Sequence, residues 1–429
     1  MKKIHAPKGT NDIFPPDSAA WNVLETNARE IAQRFGYGEI RTPMFEETEL
    51  FVRGVGETTD IVEKEMWNLF DKDTPPRSFT LRPEWTAPVV RAALQHALLD
   101  RGPLRLFYVG PFFRYERPQA GRYRQANQFG VECFGFAGAE ADVEVMQIAS
   151  ALVERYGIAD AHLQINSIGD AVCRPAYRDA LLAHFRPHAA ALSEDSQRRL
   201  ERNPLRILDS KAPQDAALIA SAPTFVDTLC PACAEHFALV RSYLDAIGIA
   251  YSVNPRLVRG FDYYTRTVFE ITSSALGSQS ALCGGGRYDG LVASLGGPAT
   301  PAVGFGLGLE RFLMVVNATA GETAAPRRGF QAIALGEAAK VRLIPLVAAL
   351  RRVGEAPVFM DFRKRKLFDH FATADRNGAR YGIILGDDEL AKGEVVLRDL
   401  VARDERRLAF HAGAEETARV LVEASREGP

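Results

Sequence analysis

The chain has 429 residues, enough for two or three compact domains at roughly 150 residues each. Its 52 lysines and arginines against 54 aspartates and glutamates leave a net charge of −2, with 47% hydrophobic and 25% charged residues. That balance excludes global disorder and a histone-like basic nucleic-acid binder, so any nucleic acid must be held by a local patch. Five cysteines are odd in number and sparse, so no disulfide framework is expected and a reducing, cytoplasmic compartment is. The start, MKKIHAPKGTNDIFPPD, lacks the roughly 7–15 apolar residues of a secretory signal. The longest uncharged stretch, 290–309, is too rich in Gly and Pro for a lipid-spanning helix.

Asp17 is placed to cap a helix in which Trp21, Leu24, Ala28, Ile31 and Phe35 recur every third or fourth residue before Gly36. A short strand is expected over 37–42, stopped by Pro43. Strands follow at 104–109 and 112–117, divided by Gly110 and Pro111, and at 127–136, which predicts an antiparallel sheet. From about 170 to 250 the pattern turns helical, with helices at 176–185 and 235–247 around the charged stretch SEDSQRRLERNP, as in an inserted module. Strand character returns over 256–271. The polar segment 317–329 reads as a linker. Beyond it, strands at 330–335, 357–362, 381–385 and 394–397 alternate with helices near 339–353, 367–378 and 414–425, the pattern of a separate α/β unit.

The commonest nucleotide-binding motifs are missing: there is no GxxxxGK[ST], and 304–308, although glycine-dense, lacks GxGxxG spacing. Three other blocks carry chemistry. The first is Phe113-Arg114-Tyr115-Glu116-Arg117, running into the Arg- and Gly-rich 118–124. In a strand Arg114 and Glu116 share a face, where the arginine can clamp a phosphate and the carboxylate accept from a base amino group; an exposed hairpin with cross-strand ion pairs is the plainer alternative. The second is 304–313, where glycines admit a ligand to a helix start and Arg311 projects from its first turn, or where small residues only allow close packing. The third joins 257–270 (LVRGFDYYTRTVFE) to 283–291 (CGGGRYDGL). Aromatic walls with a few charges suit a small polar ring or zwitterion, or else line one face of a strand beside a Gly-rich turn.

Together these blocks resemble the histidine–tRNA ligase family of class II aminoacyl-tRNA synthetases, over nearly the whole chain. The helix, strand and Pro43 near the start are similar to motif 1, 113–117 to motif 2 and 304–311 to motif 3, which all class II enzymes share. More specific are 257–270 and 283–291, which resemble the family's two histidine signatures, and Thr80-Leu81-Arg82-Pro83-Glu84, which resembles its amino-acid-binding loop. The resemblance implies an α+β catalytic domain with an antiparallel sheet over 1–316, bearing the helical insertion, then the linker and an anticodon-binding α/β domain over 330–429. It implies that Glu84, Thr86 and Gln128 hold the histidine α-amino group, and that Glu132, Tyr263, Tyr264 and Tyr288 line the imidazole pocket. Arg114 and Arg259 are the implied catalytic residues, with Arg114 gripping the α-phosphate and the histidine carboxylate. Glu116 is implied to read the adenine amino group and Arg311 to hold the γ-phosphate. ATP, Mg²⁺, L-histidine and tRNA(His) are the implied substrates and cofactor, and a homodimer the implied assembly.

Two positions depart from the family pattern. Ala126 stands where an aromatic residue usually stacks on adenine, and Trp85 stands where glycine is common, either as a bulkier rim or as a substitute stacking surface. The competing reading is a non-catalytic relative, the regulatory subunit of ATP phosphoribosyltransferase, which generally lacks the anticodon domain. Further candidates are Gln119 and Arg122 in the motif 2 loop and the basic run Arg363, Lys364, Arg365, Lys366, all as tRNA contacts. Cys230, Cys233 and His236 offer three possible zinc ligands without a fourth, so reducible or buried thiols at a helix start are expected and no protein metal site is.

Overall fold

The computed structural model describes residues 3–56, 59, 61–320, 327–363 and 366–426, apart from the side chains of 209, 278, 279 and 320. The chain divides into two compact units, Met1–Gly321 and Glu322–Pro429. Residues 321–326, within the expected linker, lie outside the described residues.

The first unit is built on an eight-stranded sheet. From edge to edge it runs Gly38–Glu39, Leu104–Phe113, Gln125–Phe134, Ala302–Gly308, Ala281–Arg287, Thr265–Thr272, His162–Ser167 and Tyr251–Val253. The six central strands are antiparallel and each edge strand joins in parallel, so the sheet is mixed. One face is covered by helices. Asp17–Arg34 buries Leu24, Ala28 and Ile31, and Ala139–Arg155 buries Val145, Met146, Ile148, Ala149 and Leu152, against Phe129, Val131, Val303, Phe305 and Phe269 of the strands. This apolar side fixes the register, because a one-residue slip would turn its side chains to the opposite face.

Several boundaries differ from the sequence expectation. Asp17 opens the first helix and Pro16 occupies the cap position. Gly110 and Pro111 do not divide two strands: Leu104–Phe113 is continuous, because the parallel edge strand covers only Leu106 and Phe107, and beyond them a proline lacking its N–H sits on an open edge. Residues 114–117 leave the sheet, with the Tyr115 N–H turning to the Glu65 carbonyl at 2.6 Å. The aromatic run 261–264 likewise precedes its strand, which begins at Thr265. A small sheet of Phe45–Glu47, Ser78–Leu81 and Trp67–Phe70 was not anticipated. The insertion contains the helices Arg174–Phe185, Glu194–Arg202, Ala216–Ala220 and Pro231–Ala246.

The second unit has a five-stranded sheet ordered Val358–Met360, Phe330–Leu335, Tyr381–Gly386, Glu394–Asp399 and Glu405–Ala409, parallel over the first three strands and antiparallel thereafter. Helices Glu337–Val353 and Ala414–Arg426 pack Leu343, Leu346, Leu350 and Leu421 on Phe330, Ile383, Leu385 and Val395. The sequence reading missed the last strand, whose alternating ERRLA is an exposed edge, and the short helix Asp387–Lys392. Among the described residues no helix is long and apolar enough to cross a membrane.

Candidate active site

The uncovered face of the large sheet floors a cavity of about 880 Å³. Strand alternation explains its lining. Phe129, Val131 and Cys133 of Gln125–Phe134 sink into the helix-covered core, so Gln128, Gly130 and Glu132 face the other way. Opposite them stand Gly308, Gly306 and Gly304. A Cβ at Gly304 would overlap the Glu132 carboxylate, one at Gly306 the Gln128 amide, and one at Gly284 the Arg259 guanidinium. The glycines of these strands therefore leave room for long polar side chains to lie across the sheet, a role distinct from the expected opening at a helix start.

Glu132 is 1% exposed. It accepts hydrogen bonds from Thr86 Oγ1 at 2.8 Å, from Tyr108 at 3.3 Å and from the Tyr288 hydroxyl. Burial pushes its carboxyl up to about 8; the Tyr288 and Thr86 hydroxyls oppose the rise and the nearby Glu84 charge adds to it. Glu84 accepts from the Thr86 N–H at 2.6 Å and the Ala87 N–H at 2.8 Å, at the opening turn of helix Thr86–Gln95. Burial raises its pKa as well, against those bonds and the Arg114 charge. Tyr263 packs edge-on to Tyr288 at 5.6 Å and beside Tyr264 at 4.7 Å. Arg174 from the insertion holds the Tyr264 carbonyl, which fixes this aromatic segment.

Facing these acids are three guanidiniums. Arg114 Nε donates to the Pro83 carbonyl at 2.9 Å, and its Nη1 lies 3.6 Å from Glu116. Arg259 pairs with Glu270 at 2.8 Å. Arg311 donates to the carbonyls of Gly121 at 2.7 Å and Ala281 at 3.1 Å. Burial lowers the pKa of Arg114 and of Arg311; the Arg259 charge adds to the fall at Arg114, and the Arg122 and Arg114 charges add to it at Arg311. The cations thus act on one another as a single positive field, which an anionic ligand would relieve.

Arg114 and Glu116 do converge, although on a loop and not, as the alternation implied, on a strand. Glu116 is buried and engaged by Arg122, which also lies 3.4 Å from Glu65. Arg122 therefore turns into the cavity, while Gln119 stays exposed at the loop tip, joined to Arg122 by paired backbone bonds of 3.1 and 2.9 Å. Ala126 lines the cavity opposite Phe112. Trp85 cannot replace the missing aromatic surface: Tyr108 stacks on one face at 4.5 Å and the Arg82 guanidinium covers the other at 3.4 Å. It is a buried wall, not a rim. Of the remaining candidates, Arg363 is exposed and pairs with Asp361, Lys366 precedes helix Leu367–Arg376, and Lys364 and Arg365 lie outside the described residues. His236 does not join Cys230 and Cys233; its Nε2 lies 3.4 Å from Asp142, which is buried with Arg287.

Sequence reasoning passed over Tyr108, Glu270 and Glu310, which also line the cavity. Glu310 accepts from the Asn127 N–H at 2.9 Å and from its side-chain amide at 3.0 Å. The available signal was strand period: Glu270 sits among the apolar residues of TRTVFEIT, and Tyr108 follows the core residue Phe107.

Residues 9–312 match the family model for histidyl-tRNA synthetase, and residues 333–418 match that for an anticodon binding domain. The histidine–tRNA ligase of Moorella thermoacetica is 48% identical over 409 residues, covering 95% of this chain and 96% of that protein. That of Desulforudis audaxviator is 48% identical over 408 residues, with 95% and 96% covered. The crystal structure of apo Staphylococcus aureus histidyl-tRNA synthetase superposes with a TM-score of 0.80 at 34% identity, covering 97% of this chain and 100% of that one. With the catalytic model spanning most of the chain and relatives near half identical along almost all of it, this chain belongs to the histidyl-tRNA synthetase family.

Proposed function

We propose that this chain charges tRNA(His) with L-histidine in two steps at the cavity described above. The histidine carboxylate attacks the α-phosphorus of ATP, forming histidyl-adenylate and releasing pyrophosphate. The 3′-terminal ribose hydroxyl of the tRNA then takes the histidyl group and AMP leaves. The observation that carries this reading is the opposition of two buried acids, Glu84 and Glu132, to the guanidiniums of Arg114, Arg259 and Arg311 in one cavity. A zwitterionic amino acid and a polyphosphate need both halves.

In this reading Glu84, Thr86 and Gln128 bind the α-amino group. Glu132 and Tyr288, already joined by a hydrogen bond, meet the imidazole nitrogens, with Tyr263 and Tyr264 closing the ring's sides. Imidazole offers one donor and one acceptor when neutral, and a buried carboxylate beside hydroxyls can satisfy both. Arg114 orients the carboxylate against the α-phosphate, Arg259 stabilises charge developing there, and Arg311 holds the γ-phosphate. Glu116 would read the adenine amino group once Arg122 gives way. Glu270 and Glu310 supply hard carboxylate oxygens that would hold Mg²⁺ beside the phosphates. When bound, the ion shares the phosphate charge. No protein nucleophile takes part.

Contact with tRNA through Gln119, Arg122 and the 363–366 run, and assembly as a cytoplasmic homodimer, belong to the same reading. The dimer is supported by Met44, Phe45, Leu69 and Phe70, exposed on and beside the three-stranded sheet. The regulatory-subunit alternative is disfavoured by the anticodon-domain match over 333–418. The test is pyrophosphate exchange into ATP with each of the twenty amino acids. Exchange with histidine alone is expected; a folded protein that binds histidine without exchange would overturn the assignment.

A further inference from the structure

Away from the cavity, the turn that follows strand His162–Ser167 meets the start of helix Pro231–Ala246. One ligand atom each from Asp170, Cys173, Cys230 and Cys233 lies within 4.8 Å of all the others. The sequence alone offered only the second pair; the partner pair sits 57 residues away and becomes visible as D-x-x-C only when the fold juxtaposes it with C-x-x-C. We propose that these four side chains form a structural tetrahedral zinc site that ties the start of the helical insertion, just after strand His162–Ser167, to its last helix, Pro231–Ala246.

The donor set, its spacing and its surroundings all fit. Three thiols and one carboxylate at C-x-x-C-type spacing are zinc ligands, and sulfur excludes Mg²⁺ and Ca²⁺ as natural occupants. Around a Zn²⁺ with Zn–S of about 2.3 Å the sulfurs stand roughly 3.8 Å apart, so the four atoms need only a small contraction. All the cysteines are free thiols, and Cys173 and Cys233 are buried. The surroundings already supply the outer hydrogen bonds that orient metal ligands. The Cys230 N–H donates to Cys173 Sγ at 3.1 Å, the Val172 N–H to Asp170 Oδ1 at 3.0 Å, and Arg266 Nη2 lies 3.4 Å from Asp170 Oδ2. Cys173 and Cys230 each occupy the cap position of a helix, Arg174–Phe185 and Pro231–Ala246, so both are held by the start of a regular element. Gly169 has φ +59, and a Cβ there would collide with Cys173, so the turn is shaped around that thiol.

The same turn holds a residue in the left-handed region. Arg266 has φ +50, and its backbone is held on both sides of the turn, its N–H donating to the Gly169 carbonyl at 2.7 Å and its carbonyl accepting from the Ile168 N–H at 2.8 Å. Such a conformation persists when its surroundings over-determine it. A metal at Asp170 and Cys173 would fix that turn, and through Arg174 the segment bearing Tyr263 and Tyr264.

The test is the metal content of the full chain, purified without a polyhistidine tag or added metal. About one zinc per chain is expected, falling below about a tenth in Cys173→Ser and Cys230→Ser. Replacement of the metal by Co²⁺ should give the strong visible bands of tetrahedral cobalt with thiolate charge transfer. Asp170→Cys should keep the zinc and raise the charge-transfer absorption by about a third, as three thiolates become four. That variant and the wild-type cobalt spectrum decide the matter even if the serine variants do not fold. Folded wild-type protein that contains no zinc and gives only the weak spectrum of octahedral cobalt would overturn the site. So would a disulfide among these cysteines in protein kept under anaerobic conditions.

Discussion

Both units are sheets packed by helices, yet they differ in how many acids they bury together on one face. In the second unit Phe330, Leu343, Leu346, Ile383 and Leu421 meet across the helix–sheet interface, and the buried carboxylate of Asp399 is paired with Arg380 at 3.3 Å. In the first unit the helix-covered face is apolar apart from the buried Asp142–Arg287 pair, and the opposite face buries Glu84, Glu116 and Glu132 beside Tyr108 and Tyr288. Burying a carboxylate is unfavourable unless it is paired or hydrogen-bonded. Each of these three is compensated: Glu84 by backbone N–H groups, Glu116 by arginines and Glu132 by hydroxyls. A fold that needed only stability would use the second unit's solution. The difference therefore locates the chemistry.

The sharpest way to break this contrast is to empty the positive field. Arg259→Ala removes the guanidinium that pairs with Glu270 and leaves Glu84, Glu132 and the tyrosines in place. Adenylate formation should fall by roughly 10²- to 10³-fold, the size of a lost transition-state donor. Histidine binding, followed by calorimetry, should change far less. Normal pyrophosphate exchange in this variant would remove Arg259 from the mechanism.

Next in size is Glu132→Gln, which keeps the shape and removes the charge. The loss in kcat/KM for histidine should be about tenfold to a hundredfold, because the variant's amide oxygen still accepts from Tyr288 or Thr86 but its NH2 group leaves one fewer acceptor for the ring N–H. Stability should move the other way. A carboxyl raised from 4.5 to about 8 by burial holds its proton more tightly in the folded state than in the unfolded one. The ionisation penalty is therefore absent below the unfolded value and grows as pH rises toward 8. Thermal unfolding of the variant and the wild type should nearly coincide at about pH 5, and the variant should melt higher at about pH 8.5. A gap that narrows with rising pH would mean that the three hydroxyl donors hold Glu132 ionised throughout.

Much of this site was legible in the sequence because its residues lie in short, chemically unusual blocks: LVRGFDYYTRTVFE, CGGGRYDGL and GFGLGLER. What the sequence withheld is of a different kind. The reason for Gly304 and Gly306 lies across a strand pair, where Glu132 and Gln128 need their space. The burial of Trp85 depends on Tyr108 from a strand about twenty residues on and on Arg82, whose guanidinium is held by the carbonyls of Thr42, Pro43 and Pro111. Asp170 and Cys173 join Cys230 and Cys233 only through the turn of the insertion. Each of these is a long-range contact, whereas strand period and motif spacing report on neighbours. Boundaries failed for the same reason: Pro111 survives in a strand because of what is not beside it, and 261–264, though rich in β-formers, is recruited to the pocket wall.

A smaller change sharpens the contrast at the end of the cavity proposed to take adenine. Ala126 is 9% exposed, lines the cavity and faces Phe112 across the strand pair. Since both faces of Trp85 are occupied, Ala126→Phe would supply an aromatic face that Trp85 cannot. The KM for ATP in the exchange reaction should fall about two- to tenfold, the value of one aromatic stacking contact, with the KM for histidine unchanged. A rise in KM would mean that the wall opposite has closed over the vacated space.

The smallest effect on catalysis should come from the largest insult to the other core. Leu346 is wholly buried in the second unit, and Leu346→Ala should destabilise that unit by about 2–5 kcal/mol through lost burial and the cavity left behind. Every residue lining the catalytic cavity belongs to the first unit, so pyrophosphate exchange at a temperature where the variant stays folded should match the wild type. Charging of tRNA should weaken through KM if the second unit reads the anticodon. An equal loss of exchange and charging would show that the apolar core of one unit and the buried charges of the other are not independent. The contrast between them would then describe composition alone, and not a division of labour.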